Sequence, residues 1–262
     1  MIKIYSEKNR MVVENEDVLV GYFLAGYPKT ETFFELIEKL GSTSLEILEI
    51  GFPSKNPYAD GKVIRDAHHA VNVEEWQDIS FWRELRRKIN KPIWLMAYRE
   101  DFICNGKYKM FAKEGLYDGL VIPDCTNEEQ LRLQSELKEW NIDVLRFIKP
   151  TLTLEEMQSR LQEPGMIYAQ LYDGPTGVKD VVFNYGEMLK LALEYDGIRL
   201  FAGFGINDKD RVSELYREGF HGVIVGTAIL KKLQLSVEDV IKFINNLKSK
   251  KGGNEDGICN HI

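Results

Sequence analysis

The run Leu45–Ile50 carries an acidic side chain, Glu49, that a β-strand would turn towards the interior of a sheet or barrel. Side chains alternate between the two faces of a strand, so Leu45, Ile47 and Glu49 share one face. Burying an ionised carboxylate is costly, and the pKa of Glu49 is therefore expected to rise. A carboxyl group of this kind is suited to general acid/base catalysis near neutral pH. The alternative is a glutamate at the rim that accepts a hydrogen bond from a backbone N–H.

A second carboxylate, Asp60, lies in the segment that follows this strand. The segment, residues 51–61, contains two prolines and two glycines, which favour a stiff and defined loop. Asp60 comes just before a helical run that starts near Val63. At such a position an aspartate is more often a helix N-cap than a catalyst. Both interpretations stay open for Asp60.

Two glycine-rich elements follow apolar runs near the end of the chain, Gly203–Ile206 and Val225–Ala228. In an α/β barrel the loops after the seventh and eighth strands often bind phosphate, because glycines let backbone N–H groups approach the anion. Thr176 and Gly177, in an earlier loop, are candidates for a third side of the same phosphate site. One Gly-x-Gly is commonly an ordinary tight turn, but two such elements at these strand ends indicate a phosphate site.

The remaining polar candidates are weaker. His68 and His69 are neighbours and point apart on a helix, while His221 and His261 have no His or Cys at ligand spacing. Zinc sites need such spacing, so the sequence predicts no metal site, and no motif indicates a cofactor. Lys149 ends an apolar run, where a desolvated lysine can form a Schiff base. A rim lysine that reaches solvent or the phosphate is the favoured interpretation.

A scaffold for these residues is indicated by eight apolar runs of strand length that alternate with amphipathic helical segments. This count predicts a single (β/α)8 TIM barrel over residues 1–247, since a doubly wound sheet usually has roughly five to seven such units. The polar segment 248–262 is predicted to fray. Long loops at 51–76 and 172–184 are expected at the C-terminal face, where barrels carry catalysis. The strand candidates are Val18–Leu24, Leu45–Ile50, Pro92–Ala97, Gly119–Ile122, Ile142–Ile148, Met166–Leu171, Ile198–Ala202 and Gly222–Val225.

Composition excludes several classes of partner. The 262 residues carry a formal net charge of −7, which argues against nucleic acid or an anionic membrane, since both need a surplus of Lys and Arg. No apolar run approaches the roughly 20 residues that span a membrane, and the first 30 residues lack a signal-peptide core. Cys104, Cys125 and Cys259 form no CxxC pair and are expected to be free thiols. These features predict a cytoplasmic protein.

The chain resembles the tryptophan synthase α subunit family over about residues 15–235. The most specific stretch is Leu48–Pro53 followed by Asn56–Gly61, which is similar to the family's motif Leu-Glu-[Leu/Ile]-Gly-x-Pro-x-Ser-Asp-Pro-x-Ala-Asp-Gly. Supporting matches are Ala25–Pro28, Gly119–Asp124, Gly203–Ile206 and Val225–Ile229.

The resemblance implies retro-aldol cleavage of indole-3-glycerol phosphate to indole and glyceraldehyde 3-phosphate. Glu49 would protonate C3 of the indole ring, and Asp60 would stabilise the positive charge that develops at the indole N1–H. Tyr168 matches the family's tyrosine beside the catalytic glutamate. The other implied site residues are Gly177, Gly205, Gly226 and Thr227 for the phosphate, and Tyr22, Tyr98 and Phe204 for the indole pocket.

Three loops depart from the family pattern, and all belong to the face that docks on the β subunit. Lys55–Pro57 replaces Ser-Asp-Pro, Asp124–Thr126 replaces Asp-[Leu/Val]-Pro, and Tyr98–Phe102 replaces a neutral segment. A tryptophan synthase β subunit is therefore expected to bind weakly or through an altered interface. The alternatives are a retro-aldol lyase for another phosphorylated substrate, to which an imine at Lys149 would belong, and a regulatory barrel without activity. A barrel without activity has no need for two partly desolvated carboxylates, which weighs against it.

Overall fold

The computed structural model describes residues 2–72, 77–177 and 184–248. Within these ranges its nine strands are all parallel, in the order β5-β4-β3-β2-β1-β9-β8-β7-β6. The strands are β1 Val18–Leu24, β2 Ile47–Gly51, β3 Ile93–Met96, β4 Gly119–Val121, β5 Asp143–Val144, β6 Arg146–Ile148, β7 Gly165–Gln170, β8 Ile198–Gly203 and β9 Gly222–Val225. All eight strand candidates are therefore present, and the prediction of a TIM barrel is confirmed.

The barrel closes at the segment Ile142–Ile148, which the sequence predicts as a single strand. β5 pairs with β4, whereas β6, one residue later, pairs with β7. The prediction of one strand over Ile142–Ile148 is wrong in this detail, because the chain changes its partner at Leu145. β5 and β6 stand at the two ends of the strand order and are consecutive in sequence. The change of partner at Leu145 therefore joins the two edges of the sheet.

Helices cover the outside of the barrel and alternate with its strands, as the alternation of apolar runs and helical segments predicts. In α2 the buried residues Phe33, Leu36, Ile37 and Leu40 form one stripe with helical spacing that faces the strands. The helices are α1 Glu7–Val13, α2 Thr30–Leu40, α3 Lys62–Ala70, α4 Ile79–Lys88, α5 Lys107–Lys113, α6 Asn127–Leu137, α7 Leu154–Leu161, α8 Gly186–Ala192, α9 Lys209–Glu218, α10 Thr227–Leu233 and α11 Val237–Leu247, with a π-helical turn at Arg99–Ile103 and a 3₁₀ turn at Lys138–Trp140. None of the helices within the described ranges is both long and apolar enough to cross a membrane.

Two buried apolar clusters divide the strands' side chains between the barrel interior and the layer of helices. In β2, Ile47 belongs to the interior cluster, while Leu48 and Ile50 face the helices. Leu45 also packs among the helix-facing residues, so its predicted place beside Ile47 is wrong. β2 starts at Ile47, and the alternation of strand geometry applies only from there. Glu49 keeps the inward direction of Ile47.

The predicted tail 248–262 lies outside the described residues except for Lys248, as do Cys259, His261 and parts of both long loops. Lys248 pairs with Glu46 at the start of the β2 segment.

A buried polar knot joins the N-terminal segment to the bottom of the barrel. Asn9, in α1, donates from Nδ2 to Asp143 Oδ2 and to the Asp118 carbonyl oxygen, both at 2.8 Å. Its Oδ1 accepts from Trp94 Nε1 at 2.9 Å. The Asp143 carboxylate also accepts backbone N–H groups of Tyr5 and Ser6, at 2.8 and 3.2 Å. The Asn9 amide thus makes hydrogen bonds to residues in or next to three strands, β3, β4 and β5.

Replacing this amide is expected to destabilise the fold. Asn9→Ala leaves Trp94 Nε1 and part of Asp143 buried without a partner, so the free energy of unfolding should fall by roughly 2–4 kcal/mol. Urea denaturation followed by circular dichroism measures the change. Asn15→Ala is the matched control, since Asn15 is exposed and its side-chain amide donates to the Met11 carbonyl in α1. A loss in Asn9→Ala as small as in the control contradicts the proposed importance of the knot.

Candidate active site

A cavity of about 840 Å³ opens at the C-terminal ends of the strands. It brings together residues that are far apart in sequence, from β1 to α11. Nine of the ten predicted site residues line it: Tyr22, Glu49, Asp60, Tyr168, Gly177, Phe204, Gly205, Gly226 and Thr227. The candidate catalytic carboxylates and the candidate phosphate loops therefore line the same cavity.

Glu49 points into this cavity from the middle of β2 and is only 2% exposed. The alternative of a rim glutamate is wrong, because its side chain is buried in the barrel. Burial raises the pKa of Glu49 to about 8, and the nearby charge of Asp60 contributes in the same direction. Glu49 is therefore mostly protonated at neutral pH and holds a proton that it can donate.

Asp60 reaches the same cavity from the loop after β2 and is 3% exposed. Burial raises its pKa to about 6, while a hydrogen bond from Tyr98 and the charge of Arg65 act to lower it. The Tyr98 hydroxyl donates to Asp60 Oδ2 at 2.7 Å. At pH 7 Asp60 is therefore mainly ionised. The N-cap interpretation is wrong, since the N-cap of α3 is Gly61.

Tyr98 is the predicted site residue that does not line the cavity. It is 2% exposed and stands behind Asp60, where its hydroxyl oxygen also accepts the backbone N–H of Ala59 at 3.2 Å. The expected place in the wall of an aromatic pocket is thus corrected. Tyr98 is the second residue after β3, so it holds the Asp60 loop next to a neighbouring strand end.

Hydrogen bonds on both sides of Asp60 attach the loop after β2 to neighbouring elements. The Tyr58 hydroxyl donates to Asp124 Oδ2 at 2.9 Å, beyond the end of β4. The Gly61 N–H donates to Thr176 Oγ1 at 2.9 Å. A Cβ at Gly61 would lie 1.6 Å from the Thr176 carbonyl oxygen, so only glycine permits this approach. The position of Asp60 is therefore set by contacts within the chain itself.

The aromatic members of the site occupy the barrel interior. Tyr168 stacks on Phe147 with 4.7 Å between ring centroids and meets Phe204 edge-on at 6.3 Å. Tyr22 is the register partner of Glu49 on the adjacent strand. Its hydroxyl lies over Gly51, where a Cβ would come within 2.4 Å of that oxygen. These rings form a flat-sided, largely apolar space next to the two carboxyl groups.

The predicted phosphate loops meet at the other end of the cavity. Gly177 and Gly205 have positive φ angles of 73° and 76°, which glycine adopts without strain. A Cβ on Gly177 would lie 2.8 Å from Thr227 Cγ2, so these two loops touch. Gly226 precedes α10, and a Cβ there would be 3.4 Å from Tyr22 Cβ. These turns are tight and also line the cavity, so the phosphate site stays a prediction that their position allows.

Sequence reasoning missed several residues of the site. Arg211, Lys231 and Lys232 line the cavity and add positive charge on the side of the phosphate loops. His68 lies beside Asp60, with 3.8 Å between Nε2 and Asp60 Oδ2. The pair Lys231–Lys232 directly after the second glycine element was a visible signal. His68 gave no such signal, because its partner is brought near by the fold.

The other reactive candidates lie elsewhere. Lys149 is absent from the cavity wall as far as the described residues define it, and its Nζ pairs with Asp173 Oδ1 at 2.9 Å. His68 is buried and His69 exposed, so the two rings point apart as predicted. In the described part of the chain, no group of three or more His, Cys, Asp or Glu side chains is arranged to hold a metal ion.

The sequence of the chain matches the family described as tryptophan synthase alpha chain over residues 9–258. The curated alpha chain of Alkaliphilus metalliredigens is 30% identical over 249 residues, which cover 89% of this chain and 92% of that protein. The alpha chain of Methanosarcina mazei is 30% identical over 237 residues, covering 88% and 87%. The chain belongs to the tryptophan synthase alpha chain family.

Solved structures agree with this membership at the level of the fold. A tryptophan synthase structure from Mycobacterium tuberculosis gives a TM-score of 0.80 at 22% identity, covering 92% of this chain and 96% of that one. The tryptophan synthase complex from Pyrococcus furiosus gives 0.78 at 23% identity, covering 89% and 98%. This alpha chain relative therefore keeps the family's barrel despite a diverged sequence.

Closing the glycine cradle is expected to weaken anion binding. Gly205→Val places a side chain in the cavity wall and should weaken binding of inorganic phosphate at least about tenfold, since losing one hydrogen bond to a charged group costs roughly 1.5–3 kcal/mol. Titration calorimetry with phosphate measures the loss. Gly226→Val tests the second loop without positive-φ strain.

Gly115→Val is the matched control for this experiment. Its φ of 64° imposes similar backbone strain, and apart from its chain neighbours no atom of the described residues lies within 4 Å of the added Cβ. Phosphate binding that survives both cradle substitutions places the anion site elsewhere.

Proposed function

We propose that this tryptophan synthase alpha chain relative cleaves indole-3-glycerol phosphate to indole and glyceraldehyde 3-phosphate. The observation that carries the proposal is the pair of buried carboxyl groups in one cavity, where burial raises the pKa of Glu49 to about 8 and that of Asp60 to about 6. The reaction needs one group that gives a proton and one that stabilises a cation, and the pair supplies both. The family is a family of carbon–carbon lyases, which agrees with this chemistry.

In the proposed reaction, Glu49 donates its proton to C3 of the indole ring, and the ring becomes a cation centred on N1. Asp60 accepts a hydrogen bond from N1–H and stabilises that charge. The bond between C3 and the glycerol chain then breaks, and its electrons restore the aromatic ring. The hydroxyl on the departing carbon loses its proton to the Glu49 carboxylate and becomes the aldehyde of glyceraldehyde 3-phosphate. Glu49 ends protonated, so the cycle balances without a cofactor.

The two ends of the cavity support the choice of substrate. Tyr22, Tyr168 and Phe204 bound a space for an aromatic ring beside the carboxyl groups. Gly177, Gly205, Gly226 and Thr227 offer backbone N–H groups to the phosphate, and Lys231 and Lys232 add positive charge. Binding energy from the phosphate would hold the ring at the reacting groups, which raises the rate by orientation.

The competing functions have less support. The imine route needs Lys149 in the cavity, but its ammonium group is paired with Asp173 and its side chain is 40% exposed. A regulatory barrel without activity would gain nothing from keeping Glu49 and Asp60 buried, since burying each carboxyl group costs folding free energy. A different phosphorylated aromatic substrate for the same cleavage is the alternative that fits the same walls.

We further propose that a β subunit interacts only weakly with this chain. The Pyrococcus furiosus relative is described as an α2β2 complex with mutual activation. Here Lys55 and Asn56 are exposed in the loop after β2, and Arg99 pairs with Glu129 at 3.0 Å. The Tyr58 and Gly61 contacts already order this loop, so a partner has less to contribute.

A location in the cytoplasm is also proposed, supported by the free thiols of Cys104 and Cys125.

Removing the acid is expected to abolish most turnover without unfolding the protein. Glu49→Gln should lower kcat by at least about 100-fold, the usual scale of general acid/base catalysis. An indole-release assay with indole-3-glycerol phosphate measures this, and the exposed Glu155→Gln is the matched control. In the unmodified protein, kcat/KM should fall above pH 8, as Glu49 loses its proton, and below pH 6, as Asp60 gains one. Near-normal turnover in Glu49→Gln removes this residue from the mechanism.

The partner prediction can be checked with a β subunit from an unrelated organism. Titration calorimetry should show weak binding, and the added subunit should raise indole release by less than about fivefold, below the usual range of allosteric coupling. The double substitution Lys55→Ser and Asn56→Asp, which restores the family's residues, should tighten binding while the cleavage rate without the partner stays similar. Tight binding and strong activation of the unmodified chain would show that these loop changes are neutral.

A further inference from the structure

His68 is a buried histidine on α3 that the proposed reaction has not used. Its side chain is fully buried. The ring atom Nδ1 accepts the backbone N–H of Ser54 at 2.9 Å, so Nδ1 carries no proton. A neutral ring then has its proton on Nε2. Ser54 belongs to the loop after β2, and this hydrogen bond therefore selects the tautomer and links the ring to the Asp60 loop.

The protonated ring atom faces Asp60. His68 Nε2 is buried and has no hydrogen-bond partner among the described residues, and it lies 3.8 Å from Asp60 Oδ2. Leaving a buried N–H without a partner costs free energy, so such a group usually marks an interaction that forms in another state. Hydrogen bonds in catalytic sites are often long without substrate and tighten when it binds.

We propose that His68 is the positioning residue for Asp60: its Nε2–H stabilises the Asp60 charge across 3.8 Å in the free protein and donates a second hydrogen bond, beside that of Tyr98, when substrate occupies the cavity. The inference rests on the proposed function for its catalytic consequence. Two donors from two elements, α3 and the end of β3, fix the plane of the Asp60 carboxylate. The carboxylate is then held ionised and aimed at the ring nitrogen of the substrate.

The charges around Asp60 make such a donor useful. Glu49 from β2, Tyr22 from β1 and Tyr168 from β7 face the cavity beside Asp60 and bring no positive charge. Arg65 is the cation that acts on Asp60, from α3, and its guanidinium donates to the Asp60 backbone oxygen at 2.7 Å. Burial, with a smaller contribution from His69, lowers the pKa of His68 to about 4, so the ring stays neutral at working pH and acts as a donor.

The experiment compares three variants with the unmodified protein. His68→Leu fills the space without a donor, His68→Gln keeps an N–H donor at the end of the side chain, and His69→Leu changes the exposed neighbour. The pKa of Asp60 is read by NMR of protein labelled at the aspartate carboxyl carbons, with Asp60→Asn to assign the signal. The pH profile of kcat/KM with indole-3-glycerol phosphate is measured in parallel.

We expect His68→Leu to raise the pKa of Asp60 by at least about one unit, because a donor to the charged form is lost. The acidic limb of kcat/KM should move by the same amount, with kcat reduced more than KM is changed. His68→Gln and His69→Leu should stay within about 0.3 units of the unmodified protein, well inside the effect of losing one hydrogen bond. An unchanged Asp60 pKa in a folded His68→Leu variant overturns the proposal.

Nitrogen NMR of the His68 imidazole in the unmodified protein tests the proposal without requiring that any His68 variant folds. In the unmodified protein the proton should sit on Nε2, and the ring signals should shift as Asp60 titrates, an effect absent in Asp60→Asn. A proton on Nδ1 overturns the proposal. If Asp60 responds to His68 but no cleavage occurs, the proposed function fails and the positioning contact stands. If cleavage occurs but Asp60 does not respond, the positioning contact fails and the proposed function stands.

Discussion

Two carboxyl groups that are both buried at one cavity cannot both be charged at low cost, and this constraint organises the site. Glu49 lies deeper, on a strand inside the barrel, and its pKa rises to about 8. Asp60 accepts a hydrogen bond from Tyr98 and lies near Arg65, so its pKa rises less, to about 6. The difference in surroundings, rather than in chemistry, makes one group an acid and the other an anion.

The loop after β2 exists in its observed form because several elements hold it. Gly61 touches the Thr176 carbonyl so closely that no other residue fits, and Tyr58 bonds Asp124 beyond β4. His68 binds the Ser54 N–H from α3. Each contact joins the loop to a different part of the barrel's upper rim. An aspartate on such a loop can be as well positioned as one on a strand, which catalysis by electrostatic stabilisation requires.

The barrel interior and the site are continuous. Ile47 and Glu49 face inward from the same strand, and Tyr168 closes the space above Phe201 and the other interior residues. At the opposite end, Asn9 and Asp143 join the N-terminal segment to the strands. Stability and chemistry therefore occupy the two ends of one core, which is the usual division in this architecture.

The alternation of apolar runs and helical segments was sufficient to predict the barrel, because each strand and helix is specified by the periodicity of its own residues. Strand parity also placed Glu49 inside, and glycines at strand ends located the turns that line the other end of the cavity. Three predictions were wrong, because each depends on which neighbours the chain contacts in the fold. Leu45 was predicted to face the barrel interior, Ile142–Ile148 was predicted to be one strand although it divides at Leu145, and Tyr98 was predicted to line the indole pocket. The partnership of His68 with Asp60 was decided by the tertiary structure alone. The two residues lie on one short stretch of sequence, but only the folding of the loop over α3 turns the imidazole N–H towards the carboxylate and removes water from both.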